Sequence, residues 1–177
     1  MVGLEEVYES AEKILLNGPD PVVRLRILRD ALQKPEDSQE VIEARRNVNH
    51  SRWVNVLTEE QWEDGSWGRL HSKDYGANQQ IPTTEVGVER ALILGLDKNH
   101  PVLKKAIEYL ISVLETGECR DRPEKNDRWP TGLLLITAAT LAKILPKHLI
   151  LDGVWELWVE LVRRTFAAGR YNEEAEI

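Results

Sequence analysis

The sequence predicts an all-α fold, and three observations predict it. Apolar residues recur at three- and four-residue intervals through most of the chain. Gly and Pro punctuate the ends of these segments. No segment alternates apolar and polar residues with the period of two that a half-buried strand requires. At 177 residues the chain suits one domain, residues 1–177, made of consecutive helical hairpins.

The elements follow in order. Leu4, Val7, Ala11, Ile14 and Leu15 mark a first helix to Leu16, stopped by Gly18-Pro19. Asp20-Pro21 reads as an N-cap and first helical residue, opening "VVRLRILRDAL". A third helix is expected from about Pro35 to Val48, and a fourth from Ser51 to about Gln61. A long loop, Trp62 to Pro82, separates these from a fifth helix capped by Thr83 or Thr84 and closed by Gly95. Pro101 opens a sixth helix, and a polar loop from Thr116 to Arg128 follows. Pro130 starts a seventh, to about Leu145, and Asp152 is expected to cap an eighth.

The loop after the fourth helix begins "QWEDGSWG", an aromatic, Gly-rich stretch in an otherwise helical chain. Leu57, Gln61, Gly65 and Trp67 stand at spacings of four, four and two. The same spacing recurs at Tyr109, Val113, Gly117 and Cys119, without the glutamine and tryptophan. Gln61 is placed to satisfy orphan backbone groups of a neighbouring hairpin, and Gly65 to allow a tight turn. A hairpin that repeats cannot bury its apolar face alone, so neighbours must stack.

Leu57-x-x-x-Gln61-x-x-x-Gly65-x-Trp67 resembles the glutamine–tryptophan repeat of the squalene–hopene cyclase family. The likeness is clearest over residues 50–145. It implies the α/α toroid that these cyclases share with protein prenyltransferase β-subunits, here incomplete, because the chain supplies eight predicted helices in four hairpins. In that family the motif is a structural clasp on the outside of the barrel. The open ends of an incomplete toroid imply apolar faces that a second copy could cover, with the Trp-rich last helix the candidate contact.

The family's chemistry is not written in this chain. The Asp-x-Asp-Asp acid that protonates an alkene is absent, as is an Asp-rich helix face for Mg²⁺ and diphosphate. Zinc would call for Asp, Cys and His, yet Cys119-x-Asp121 reverses the prenyltransferase order, and the four His are scattered. Glu63-Asp64 and the acids from Asp121 to Asp127 read as solvated loop charge. No catalytic residue, metal site or cofactor is assigned. The candidate pocket or interface residues are Trp129, Trp155 and Trp158, with His71 and Asp74 as a small polar cluster. Trp155 and Trp158 share an expected stripe with Leu151 and Val162.

Composition bounds the partners. The net charge of −7 argues against nucleic acid and anionic membrane surfaces. The longest apolar run, Gly132 to Ala142, is too short to span a bilayer. One cysteine excludes an internal disulfide and, with an acidic N-terminal segment, fits a cytoplasmic protein. The expected function is a non-catalytic or vestigial terpenoid cyclase-like domain binding a hydrophobic small molecule or a protein on its concave face. Two alternatives stay open. One is an isoprenoid-metabolism enzyme acting with a partner or a missing segment, and the other is a helical-repeat interaction scaffold.

Overall fold

The computed structural model describes residues 3–72, 75–121 and 129–175. Among these the chain is all-α, with eight α-helices and no strand. They are α1 (Leu4–Leu16), α2 (Pro21–Arg26), α3 (Gln39–Asn49), α4 (Arg52–Glu60), α5 (Thr84–Ile93), α6 (Pro101–Thr116), α7 (Trp129–Ala142) and α8 (Ile150–Thr165). Backbone contacts group them into two compact units, Met1–Glu59 with Arg90–Leu96 and Glu60–Glu89 with Asp97–Ile177.

In the first unit α2 packs on α3. Asp20 Oδ1 accepts the Val22 N–H at 2.9 Å, and Pro21 gives up no needed donor at the first position. The helix then widens into a π-helical turn, Ile27–Ala31, whose closing bond runs from Leu32 N to Ile27 O at 2.9 Å. Leu25, Leu28, Val41, Ala44 and Val48 form the core between them. Helix α3 begins at Gln39, not near Pro35, because the Ser38 hydroxyl caps it while Pro35 O accepts the Ser38 N–H in the preceding turn. Of the apolar stripe predicted on α1, only Ala11 is buried.

In the second unit α6 packs on α7, and α7 on α8. Pro101 opens α6 behind a His100 cap, and Gly117 closes it in the left-handed conformation. Leu103, Ala106 and Leu110 of α6 meet a core completed by Leu133, Ala138, Leu141 and Leu151. Two threonines of α7 are buried with them. Their hydroxyls bond back to the helix, Thr137 to Leu133 O at 2.7 Å and Thr140 to Ile136 O at 2.8 Å, so neither hydroxyl is stranded. Helix α8 starts at Ile150, earlier than an Asp152 cap allows. The His148 ring accepts the Ile150 N–H at 3.3 Å, and Asp152 sits within the first turn, where its charge suits the helix dipole.

Candidate functional site

Gln61 follows α4, and its Nε2 donates to Gly65 O and to Val102 O of α6, both at 2.9 Å. One amide thus ties its own turn to the start of another helix. Gly65 carries φ +88°, and a Cβ there would lie 2.2 Å from Lys105 O. The position demands glycine twice over, by conformation and by close approach. Trp67 is completely buried. Its backbone N–H donates to Thr84 Oγ1 at 3.0 Å, and its ring lies so close to Gly87 that a Cβ on Gly87 would sit 2.4 Å from it. Thr83 Oγ1 accepts the Val86 N–H and caps α5, so the two threonines divide the work. Leu57 is buried in the first unit.

Three carboxylates hold the loop that follows. Glu60 accepts the Gln80 N–H at 2.9 Å and the Ile81 N–H at 2.8 Å. Asp64 accepts the Ser66 N–H at 3.0 Å and its hydroxyl at 2.6 Å, while Arg120 Nε and Nη2 donate to its other oxygen at 2.9 and 2.8 Å. Burial pushes the Asp64 pKa up, but the Ser66 hydrogen bonds and Arg120 outweigh it and leave the carboxyl below its usual range. Asp121 is buried and accepts three successive backbone donors, from Leu70, from His71 at 3.2 Å and from Ser72 at 2.8 Å. Asp64 and Asp121 are therefore structural acceptors, where solvated loop charge was expected. Nothing in local spacing marks the role of Asp121, whose donors lie about fifty residues away.

The Arg120 guanidinium lies over the Trp62 ring, 4.3 Å from its centroid. Beside this pair opens a cavity of about 360 Å³, lined by Trp62, Gly68, Arg69, Ala77, Gln79, Pro82 and Arg120. Its walls combine an indole, small apolar groups, an amide and two guanidinium groups. None of these residues stands out in the sequence except Trp62, whose place in an aromatic turn was the available signal.

Of the predicted pocket residues, His71, Trp129, Trp155 and Trp158 are not in this lining. His71 Nδ1 is 2.7 Å from Glu85 Oε2, and Asp74, its expected companion, lies outside the described residues. Trp129 begins α7 and is half-buried. On α8, Trp155 and Trp158 are half-buried, and Val162, expected with them on a core or interface stripe, is exposed, since the buried line runs through Leu151, Val154, Leu161 and Thr165. The Trp158 Nε1–H is buried with no hydrogen-bond partner among the described residues.

Cys119 and Tyr109 are both held in their protonated forms. Burial and the neighbouring Asp121 charge push the Cys119 thiol up against a weaker backbone bond, away from the thiolate that a nucleophile needs. Burial likewise raises the Tyr109 phenol, reinforced by Cys119, Asp64 and Asp121, so it stays protonated. Among the described residues no three His, Cys, Asp or Glu gather as metal ligands, and no helix is long and apolar enough to cross a membrane. No family model matches the chain, and neither the curated proteins nor the solved structures contain a match.

Proposed function

We propose that this chain is a non-catalytic binding domain of the terpenoid cyclase-like, α/α-toroid kind, and that its ligand is a small organic molecule with a flat apolar body and an anionic group. The observation that carries this reading is the cavity wall built by Trp62 and Arg120, with Arg69 and Gln79 in the same lining. An indole face with Ala77 and Pro82 accepts an apolar plate, and guanidinium groups accept a carboxylate. A pure hydrocarbon suits the cavity less well, since it would strip water from the guanidinium groups without replacing the hydrogen bonds. Of the two expected partners, a hydrophobic small molecule or a protein, this reading takes the small molecule and sharpens it to an amphipathic one. The cavity also sits at the low end of the usual range for small-molecule sites, about 300–1,000 Å³.

Native mass spectrometry of gently purified protein, followed by calorimetric titration, tests the reading. Naphthoate should bind saturably, and the neutral prenyl alcohol farnesol should bind at least tenfold more weakly. Arg69→Gln should weaken naphthoate binding by about tenfold. Absence of any co-purifying mass together with no saturable response to naphthoate would overturn the proposal.

A further inference from the structure

Helix α8 is apolar over more of its circumference than its own unit covers. Leu151, Val154, Leu161 and Thr165 are buried. Next to them runs a second line, Trp155, Val159, Val162 and Phe166, the last one residue beyond the helix end. Trp155 is half-buried, while Val159, Val162 and Phe166 are 55%, 54% and 51% exposed. Their spacing of four, three and four is the alternation of a coiled-coil seam, the pattern by which one helix meets another along its length.

The charges beside this seam identify the occupant. Asp152 and Glu156 lie in the N-terminal half of α8, and Arg163 and Arg164 lie at its C-terminal end, where Arg163 also pairs with Glu160 of its own chain at 3.0 Å. Two such helices aligned in parallel would set acid against acid and base against base. Aligned antiparallel, they oppose unlike charges and also unlike ends of the helix dipole. A two-fold axis between Val159 and Val162 would set each against the other's counterpart and Trp155 against the opposite Phe166. On the flanking positions it would bring Glu156 near Arg163 of the second copy, twice by symmetry. The Phe166 ring already packs on Tyr171, with centroids 5.9 Å apart, which extends the apolar strip beyond the helix.

We infer that α8 is a homotypic docking surface on which a second copy of this chain packs antiparallel through Trp155, Val159, Val162 and Phe166. The seam is short for a permanent interface, so the dimer forms and dissociates with concentration. The net charge of −7 on each copy opposes association, and the Glu156–Arg163 pairs offset it locally.

Sedimentation equilibrium over a broad concentration series reads the outcome directly. The wild-type mass should rise from 20.3 kDa toward twice that value. Val159→Lys with Val162→Lys should remain at the monomer mass throughout, with unchanged helical circular dichroism. A charge exchange tests the alignment without touching the apolar groups. Glu156→Arg alone and Arg163→Glu alone should each weaken the dimer at least tenfold, and the two together should restore it to within a few-fold of wild type. A wild-type protein that stays monomeric to its solubility limit overturns the inference. So does a dimer that survives the paired lysines, or a double exchange that fails to rescue the single ones.

Discussion

The chain contains one hairpin turn twice, and the two copies have different strengths. In the first, Gln61 binds two carbonyls, Gly65 lies against the Lys105 backbone, and Trp67 fills a fully buried site against Gly87. In the second, Val113 is one more buried residue of α6, Gly117 has no neighbouring atom within 4 Å of where a Cβ would stand, and Cys119 is half-buried. Both glycines have positive φ, +88° and +72°. The same local conformation therefore serves a joint between segments in one place and a simple helix stop in the other. Motif spacing alone does not separate the two; the residues at the glutamine and tryptophan positions do.

The glycines give the largest test of this difference. Gly65→Ala should cost about 4–6 kcal/mol, because a left-handed alanine and a collision with rigid backbone add together. Gly117→Ala should cost only about 1–2 kcal/mol, the conformational part alone. Urea denaturation of both variants measures the gap, and equal losses would erase the distinction between the copies. The aromatic positions come next. Trp67→Ala should destabilise by about 3–5 kcal/mol as a large buried side chain leaves a cavity. Cys119→Ala should stay within about 1 kcal/mol of wild type, since a small, half-buried thiol is all that is removed.

How much of this was legible in the sequence depends on the range of the interaction. Helix α1 runs from Leu4 to Leu16 as its periodicity and the Gly18-Pro19 stop predict, and α6 opens at Pro101. Those features are encoded within a few residues. The π-helical turn after Arg26 has no local sign, and α3 and α8 start away from their expected positions because one capping side chain competes with another candidate. Gln61, Gly65 and Trp67 were visible as a motif, but the cavity was not. Its lining joins Trp62 to Arg120 and Gln79, and Asp121 and Glu60 pin that loop from outside it. Such pairings depend on where distant segments meet, which helical periodicity does not specify.

Asp121 belongs to the second copy's loop yet secures the first, and this asymmetry can be tested separately. Asp121→Asn loses the charge and turns an N–H donor toward backbone donors. It should cost about 2–3 kcal/mol, with hydrogen exchange rising at Leu70, His71 and Ser72. Exchange that rises equally across α7 would point to a general loss of packing rather than release of this loop. Gln61→Leu should cost less, about 1–2 kcal/mol, because Gly65 O and Val102 O each lose one donor while the packing volume is nearly kept. A loss no larger than that of a surface substitution would reduce Gln61 to the level of its counterpart Val113.

The smallest effect falls on α6, the helix that joins the copies, and it depends on pH. The peptide groups of Val102 are held from both sides: its N–H donates to His100 Nδ1 at 3.3 Å, and its C=O accepts from Gln61. The His100 ring accepts only while Nδ1 is unprotonated. Burial lowers its pKa against the opposing pull of Asp97, so the folded protein resists the proton that the unfolded chain takes up. The sign follows. The contribution is complete above the unfolded histidine value of about 6.5 and is lost as pH falls through the lower folded value. Its ceiling is that of a helix cap, about 1 kcal/mol. His100→Asn keeps a capping acceptor that does not titrate, so the variant should lose less stability than wild type between about pH 7.5 and about pH 5.5. Subtracting the two profiles isolates the His100 contribution. In the Gln61→Leu background the His100 difference should persist if the two bonds on Val102 act independently. It should shrink if the amide from the first copy is what holds the start of α6 where the imidazole can reach it.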